Sequence, residues 1–182
     1  MVTTTVSTKS ELEQIYVLNQ LNLKQNLSPE EKDTEGFVSW LYSLDLLEMM
    51  HQLAPSIIAK VDENVIAYAL TTLRECREFH PDLNAMFTHL ASISYNNSPL
   101  SSYNYYCMGQ ICIHKDFRGQ GIVNSLYQKH KEIYSKEFDF ILTEISLNNP
   151  RSQKAHEKLG FKTVHTYSDN MDDWNVVLWD WR

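Results

Sequence analysis

A glycine-containing turn between an apolar segment and an amphipathic helix is the part of the sequence best suited to bind an anion. Arg118-Gly119-Gln120-Gly121 follows the apolar residues up to Ile113 and precedes a helical pattern that begins at Ile122. The two glycines leave little side chain over the backbone, so successive N–H groups at a helix N-terminus can point at phosphate oxygens. The turn lacks the Lys-Ser or Lys-Thr pair of a P-loop and the three-glycine dinucleotide pattern. It therefore predicts a site for an anionic cofactor other than a nucleoside triphosphate or NAD; a plain strand-to-helix turn is the alternative.

A second segment, from Leu142 to Phe161, combines ionisable side chains with a well-marked helix. Asn149 can cap this helix, Pro150 suits its first position, and Gly160 suits a left-handed stop. Glu144 interrupts the apolar strand ahead of the helix, where a buried carboxylate would need a partner. The residues predict a strand, a capped helix and a sharp helix end, in that order.

Together the two segments resemble the GNAT acyltransferase superfamily. The Gln/Arg-x-x-Gly-x-Gly/Ala turn of that family is matched by Arg118 and Gly121, with Val123 at the position of the last small residue. Its later element, a strand, an asparagine and a helix that ends at Gly-Phe, is matched by Asn149 and by Gly160-Phe161. The order and spacing of the two motifs, which cover roughly residues 106–165, make the match specific. The resemblance implies an acetyltransferase that uses acetyl-CoA.

The resemblance also implies which residues hold acetyl-CoA. A strand close to the turn would bind the pantetheine arm through its backbone, the turn would bind the pyrophosphate, and the start of the later helix would also contact the cofactor. These three groups are Ile111, Cys112 and Ile113; Arg118, Gly119, Gln120, Gly121, Ile122 and Val123; and Asn149 and Ser152. Val123 in place of Gly or Ala leaves less room beside the phosphates but keeps the backbone donors. Asn149 could instead act only as the helix cap.

Acetyl transfer to an amine needs a neutral nucleophile, a donor for the carbonyl oxygen and a proton for the leaving thiolate. Many members of the family place a Tyr seven residues after the asparagine, and here that position is His156. An imidazole that titrates near neutrality could protonate the thiolate; the alternative is a packed, hydrogen-bonded histidine. Glu144 is predicted as the base or as the anchor of an ammonium group, with a raised pKa if it is buried. At a sheet edge it would be an ordinary surface acid.

Length and charge are consistent with one enzyme domain that spans residues 1–182. The 182 residues are 43% hydrophobic, and no Gly/Ser/Pro-rich stretch divides them. A net charge of -7 argues against general affinity for nucleic acid or for anionic membranes. Basic residues near the turn could bind a cofactor, or they could simply form a solvated helix face. They are Lys115, Arg118, Lys129, His130 and Lys131.

The cysteines and the hydropathy pattern predict a cytoplasmic protein. Cys76, Cys107 and Cys112 are odd in number and lack paired metal spacing, so neither a disulfide framework nor a metal site is expected. The N-terminus lacks a basic region followed by an apolar run, and no segment approaches the roughly 20 apolar residues of a spanning helix. We therefore expect no membrane partner; a homodimer is left open.

The remaining pattern predicts an α/β fold, with a GNAT-like mixed, mostly antiparallel central sheet flanked by helices. A capping box at Ser10-Glu11-Leu12-Glu13 is predicted to start the first helix, and Phe37 to Leu53 a second, with a loop from Asn26 to Glu35 between them. Arg74 to Ser102 is predicted as a helical insertion before the cofactor-binding strand, either a lid over the core or a wall of the acceptor site. The predicted strands are Val2 to Val6, Ser56 to Lys60, Asn64 to Leu73, Tyr103 to Ile113, Phe138 to Leu147, Phe161 to Tyr167 and Trp174 to Trp181.

Three classes of function are compatible with these residues. The first is an N-acetyltransferase that transfers the acetyl group directly from acetyl-CoA to a primary amine of a small molecule, an amino-acid derivative or a peptide. The second is a catalytically silent acyl-CoA-binding regulator, because His156 replaces the usual Tyr. The third, an interaction domain without a ligand, is disfavoured by the largely intact cofactor motif.

Overall fold

The computed structural model describes residues 1–182, apart from the side chain of residue 33, and contains the following elements. The strands are β1 (Val2–Thr5), β2 (Ile57–Val61), β3 (Asn64–Thr72), β4 (Ser94–Tyr95), β5 (Ser98–Pro99), β6 (Tyr105–Ile113), β7 (Phe140–Ser146), β8 (Lys162–Ser168) and β9 (Asp173–Asp180). The helices are α1 (Lys9–Leu21), α2 (Pro29–Glu35), α3 (Leu44–Leu53), α4 (Pro81–Ser92), α5 (Ile122–Tyr134) and α6 (Pro150–Lys158). Short 3₁₀ helices occupy Lys24–Asn26, Arg74–Glu78, Leu100–Ser102 and Lys115–Phe117.

A seven-stranded sheet in the order β1-β2-β3-β6-β7-β9-β8 forms the centre of the molecule. Its neighbouring strands are antiparallel except β6 and β7, which run parallel. The small hairpin of β4 and β5 stands apart from this sheet. The predicted mixed, mostly antiparallel sheet is confirmed, and all seven of its strands lie where the hydrophobic pattern predicts them.

Alternating side chains divide the core between the two faces of the sheet. Along β7, Ile141 and Ile145 pack with α5 residues, whereas Phe140 and Leu142 pack in a cluster that contains Phe87 of α4. The helices α1 and α3 cover that second face of the sheet over β2 and β3. Because side chains alternate along a strand, Glu144 lies on the same face as Phe140 and Leu142. It therefore points to the α4 side of the sheet.

The first helix begins two residues earlier than predicted, because Thr8 and not Ser10 is its cap. Thr8 Oγ1 accepts a hydrogen bond from Glu11 N at 3.2 Å, and the Glu11 carboxylate accepts one from Thr8 N at 3.1 Å. Two Ser/Thr-x-x-Glu patterns overlap here, and both satisfy the rule for a capping box. Lys60 of β2 contacts the Glu11 carboxylate at 2.8 Å. We attribute the choice of Thr8 to this tertiary contact.

Two predictions for the segment between α1 and α3 are wrong. The predicted loop from Asn26 to Glu35 contains α2, which begins with a capping box between Ser28 and Glu31. The predicted helix from Phe37 to Leu53 is helical only from Leu44, and Ser43 caps it. Residues 37–43 are extended instead, because the Asn19 side chain donates to Trp40 O at 3.1 Å and accepts from Tyr42 N at 2.9 Å. Both hydrogen bonds involve a side chain of α1, so the hydrophobic periodicity of residues 37–53 could not predict them.

The insertion between β3 and β6 contains the predicted helix, α4. Phe87 and Leu90 are buried in the cluster with β6, β7 and β9. No helix among the described residues is long and apolar enough to cross a membrane. Cys76, Cys107 and Cys112 are free and buried, and the described side chains contain no group of three or more His, Cys, Asp or Glu arranged to hold a metal ion.

Candidate active site

The gap between β6 and β7 is the centre of the candidate site. The two strands pair only at Tyr105–Cys107 against Phe140–Leu142 in the described ladder. Just beyond this stretch Thr143 Oγ1 donates to Met108 O at 2.9 Å. β6 continues to pair with β3 as far as Ile113. The other edge of β6 is thus left without a strand partner, and unpaired N–H and C=O groups on such an edge can bind an extended chain.

The glycine turn next to this edge offers backbone donors. Gly119 and Gly121 have φ of +77° and +78°, a conformation that favours glycine, and the space in which each would carry a Cβ is open. Gly121 is the N-cap of α5 and supplies no side-chain cap. In the described part of the chain, the N–H groups of residues 119–124 donate to no protein acceptor, and the first bond of the helix is Ser125 N to Gly121 O at 3.3 Å. Free N–H groups at a helix start favour an anion.

A cavity of about 490 Å³ lies against this turn. Of the predicted cofactor residues, all but Gln120 line it: Ile111, Cys112, Ile113, Arg118, Gly119, Gly121, Ile122, Val123, Asn149 and Ser152. The side chain of Gln120 is exposed and contacts Asp116 O at 3.5 Å. The structure therefore brings the two sequence motifs together around one cavity, and we call it the cofactor cavity.

The Arg118 side chain is bound to the protein. Its Nε donates to Ile113 O at 3.0 Å, and its two terminal nitrogens donate to Glu35 Oε2 at 2.5 Å and Asn22 Oδ1 at 2.6 Å. The hydrogen bond from Arg118 lowers the pKa of Glu35 from its ordinary value. The guanidinium is thus held by protein acceptors beside the turn, although Arg118 also lines the cavity.

Positive charge at the cofactor cavity comes from Arg118, as predicted, and from α6, but not from Lys115 or from α5. His130 is fully buried and bonds to Tyr106 Oη at 3.0 Å, and burial lowers its pKa to about 3, so it is uncharged. Lys129 and Lys131 do not line the cavity. The residues that sequence reasoning missed are Arg151, Lys154 and Lys158. Their spacing of three and four residues places them on one helix face, which is a signal that the sequence contains.

Asn149 acts as the helix cap. Its Oδ1 accepts from Ser152 N at 3.2 Å and its Nδ2 donates to Phe37 O at 3.0 Å. The amide therefore uses both ends in fixing the start of α6 against the extended segment. Contact of the Asn149 side chain with the cofactor stays a prediction, and the residue lines the cavity.

His156 has the environment of a packed histidine, which was the alternative to an acid. It is 1% exposed, and burial lowers its pKa to about 4. Nδ1 lies 2.8 Å from Ser152 O, which can only accept, so Nδ1 carries the proton. Nε2, 2.6 Å from Tyr127 Oη, then accepts from that hydroxyl. Both ring nitrogens are used within the protein, and no N–H is left for a ligand.

Glu144 has the environment predicted for a base. Burial raises its pKa to about 7, Asp169 also raises it, and a hydrogen bond from Tyr167 Oη at 3.0 Å opposes the shift. The described salt bridges give Glu144 no cationic partner. A carboxyl group of this pKa exchanges its proton near neutral pH. Glu144 is half-buried and pairs with Val176 of β9, while its other side lies past the stretch of β7 that pairs with β6, so β7 is not an edge strand but Glu144 faces the gap.

A second cavity of about 670 Å³ contains Glu144 and lies on the α4 side of the gap; we call it the acceptor cavity. Met86 of α4 lines it, together with Trp40 of the extended segment and Tyr167 of β8. Phe87, the neighbour of Met86, is 2% exposed and belongs to the core. The cofactor and acceptor cavities meet at six shared residues: Phe37, Val38, Ile111, Asn149, Ser152 and His156.

The sequence matches the acetyltransferase (GNAT) family over residues 12–161, and the chain belongs to that family. This match includes the glycine turn, β7 and all of α6. Family membership assigns acetyl transfer as the general activity of the protein. No functionally curated protein shows significant sequence similarity to the chain.

Solved structures with the same fold cover nearly the whole chain at low identity. A chain of the NatC complex bound to Gag peptide and CoA is 14% identical, with a TM-score of 0.66, over 100% of this chain and 98% of that one. The Ard1 protein from Thermoplasma volcanium is 10% identical, with a TM-score of 0.65, over 99% and 98%. The ribosomal-protein-S18-alanine N-acetyltransferase from Escherichia coli is 12% identical, with a TM-score of 0.59, over 97% and 90%. At these identities the likeness establishes the fold.

Proposed function

We propose that the chain transfers the acetyl group of acetyl-CoA directly to a primary amine. The observation that carries this proposal is the run of free N–H groups at residues 119–124, which opens on a cavity beside the unpaired edge of β6. The first feature suits a pyrophosphate and the second an extended arm with amide groups. Acetyl-CoA has both. The NatC structure with bound CoA has the same fold, which is consistent with this donor.

The cofactor residues would act mainly through the backbone. Residues 119–124 would donate to the pyrophosphate, and Ile111 to Ile113 would pair with the pantetheine amides. Arg151, Lys154 and Lys158 would attract the phosphates from α6. Asn149 and Ser152 would contribute by fixing the first turn of α6 at the meeting point of the two cavities.

Direct transfer is favoured by the state of the thiol at the site. Cys107 lines the acceptor cavity, but burial raises the pKa of its thiol far above the ordinary value. Such a thiol stays protonated and is a poor nucleophile. An acetyl-cysteine intermediate is therefore disfavoured, and the amine would attack the donor itself.

The proton transfers follow from Glu144 and His156. Bound acetyl-CoA supplies an activated thioester carbonyl. Glu144 would accept a proton from the ammonium form of the acceptor, and an N–H of the β6 edge would donate to the carbonyl oxygen. The second amine proton, left on the nitrogen of the tetrahedral intermediate, would pass to solvent as the C–S bond breaks. Because His156 has no free N–H, the thiolate would leave unprotonated and take its own proton from solvent. A thiol of ordinary pKa, near 8.5, makes this step feasible near neutral pH.

A matched pair of substitutions at Gly121 tests the cofactor site. Gly121→Asp and Gly121→Asn introduce side chains of nearly equal size into open space, and both residue types tolerate positive φ. We expect the Asp variant to bind acetyl-CoA at least about tenfold more weakly than the Asn variant at low salt, because only Asp repels the pyrophosphate. Titration calorimetry on the folded variants measures both affinities. Equal affinities would contradict the assignment, and binding without turnover of any amine would indicate the acyl-CoA-binding regulator.

A further inference from the structure

The acceptor cavity carries only acidic charge. The carboxylates that line it are Asp82, Glu144 and Asp169, and the described residues that line it include no Lys or Arg. Lys24, 5.1 Å from the ring of Phe37, is paired with Asp172 at 2.8 Å. Asp169 lies close enough to Glu144 to raise the pKa of that carboxyl. An ammonium group is favoured in such a cavity, whereas a substrate carboxylate would lose its hydration without gaining a cationic partner.

The cavity is also lined by large apolar side chains. Its aromatic residues are Phe37, Trp40, Tyr42, Tyr167 and Trp174, and Leu83 and Met86 come from α4. Its volume, about 670 Å³, is that of a site for a small organic molecule. Aromatic rings suit the apolar body of a ligand and can also face its ammonium group. A long, highly polar acceptor would leave these surfaces unused.

The aromatic wall is held in place by buried hydrogen bonds. Trp40 O accepts from Asn19 Nδ2 at 3.1 Å and from Gln110 Nε2 at 2.7 Å. Gln110 Oε1 in turn accepts from Tyr68 Oη at 2.5 Å. The Trp40 ring contacts the Tyr42 ring edge to face, with centroids 4.5 Å apart. A wall fixed by both α1 and β6 is preorganised for a rigid apolar group.

We propose that the acceptor is a hydrophobic primary amine without a carboxylate, for example one in which a short alkyl chain joins the amine to an aromatic ring. Free amino acids are excluded as acceptors. The inference rests on the proposed acetyl transfer and names the substrate class of that site. Glu144 holds the ammonium group, the aromatic wall holds the body, and the absence of a cation rejects a carboxylate. The site discriminates because the carboxylate of a bound amino acid would lie in the cavity without a cationic partner.

Three acceptors with the same aromatic group test the effect of a carboxylate separately from the effect of substrate size. Phenethylamine, phenylalaninamide and phenylalanine share one aromatic body, and only the last carries a carboxylate. We expect kcat/KM for the first two to exceed that for phenylalanine by at least about 100-fold, measured by release of free CoA thiol. Similar values for phenylalanine and its amide would overturn the inference while leaving acetyl transfer intact. A short peptide that is acetylated faster than all three would also overturn it, in favour of a peptide acceptor.

A substitution at an exposed residue of the acceptor cavity provides a second test of the charge argument. Met171 lines the cavity and is 58% exposed, so Met171→Arg adds a cation without disturbing the core. Val17, 52% exposed on α1, lines neither cavity and provides the control Val17→Arg. We expect Met171→Arg to lower the ratio of kcat/KM for phenethylamine to kcat/KM for phenylalanine at least about tenfold. The control should leave this ratio unchanged. An unchanged ratio in Met171→Arg would count against the charge argument. If acetyl-CoA binds but no member of the panel is acetylated, this inference fails; the proposed catalysis fails with it only when no other amine is turned over.

Discussion

At the scale of single residues, the two candidate catalytic side chains lie in opposite environments. Glu144 opens onto the acceptor cavity, receives one hydrogen bond from Tyr167 and has a raised pKa. His156 is enclosed, uses both ring nitrogens and has a lowered pKa. Burial shifts both groups toward their neutral forms, so the Glu144 carboxylate becomes a stronger base, whereas His156 lacks at neutral pH the protonated form that could act as an acid. Of the two, Glu144 is therefore the candidate that we propose for proton transfer.

The raised pKa of Glu144 predicts the pH dependence of the reaction. Below its pKa of about 7 the carboxyl is protonated and cannot take a proton, while the acceptor remains an ammonium ion up to about pH 10. We expect kcat/KM to rise about tenfold per pH unit up to about pH 7 and then level off. Glu144→Gln should lower kcat about 10²- to 10⁴-fold and remove the plateau, because the rate then follows the fraction of neutral amine. Glu13→Gln, at an exposed site on α1, is the control; a wild-type profile in Glu144→Gln would remove Glu144 from the mechanism.

His156 is predicted to matter more for stability than for proton transfer. His156→Phe would leave Tyr127 Oη and Ser152 O without their buried partner, so the free energy of unfolding should fall by about 1–3 kcal/mol. Denaturant unfolding measures this loss, with Tyr127→Phe as the matched removal of one of the two bonds. The kcat of the folded variant should stay within about tenfold of wild type, since general acid catalysis is worth more than that. A larger loss of kcat at unchanged stability would restore His156 as the acid.

At the scale of elements, α2 and α6 meet at the mouth of the cofactor cavity. Arg151 of α6 donates to Thr34 O at 2.6 Å, and Asn149 donates to Phe37 O just after α2. Glu35, the last residue of α2, contacts Arg118 and lies 3.9 Å from Arg151. A carboxylate therefore faces the two arginines nearest the phosphate site. Bound phosphates would have to tolerate this negative charge.

Removal of the Glu35 charge is predicted to strengthen acetyl-CoA binding. Glu35→Gln eliminates repulsion of the phosphates and keeps a side chain that can still accept from Arg118. We expect the Kd to fall about two- to fivefold at low ionic strength and the difference to shrink in high salt, since Glu35 is partly exposed. Glu30→Gln, an exposed site on the same helix, should leave the Kd unchanged. Weaker binding by Glu35→Gln would instead show that the ion pair is needed to position Arg118.

At the scale of the whole molecule, charge is separated across the gap in the sheet. The chain carries a net charge of -7, yet the cofactor cavity is lined by Arg118, Arg151, Lys154 and Lys158 against one carboxylate, Glu35. The acceptor cavity is lined by three carboxylates. The proposed anionic donor and ammonium acceptor would thus be attracted to different sides of the point where β6 and β7 separate. Local fields of this kind, and not net charge, direct ligands to a site.

Much of this arrangement could be predicted from local sequence pattern. Strand alternation placed all seven strands of the main sheet, and the paired glycines marked a turn whose positive φ and free N–H groups depend on those residues alone. Asn149, Pro150 and Gly160 marked both ends of α6 for similar reasons. These features depend on interactions within a few residues, so their spacing in the sequence is sufficient to identify them.

Other features were decided only by tertiary structure. Residues 37–43 are extended because Asn19 binds their backbone. The Arg118 guanidinium is held by Glu35 and Asn22, and His156 is neutral because it is buried. The partners in these contacts lie 21 to 96 residues apart in the sequence. A spacing rule identifies which residue types could act, but the direction of a side chain and its pKa depend on what packs against it. That is why the sequence determined the family and the elements, whereas the roles of Glu144, His156 and Arg118 required the fold.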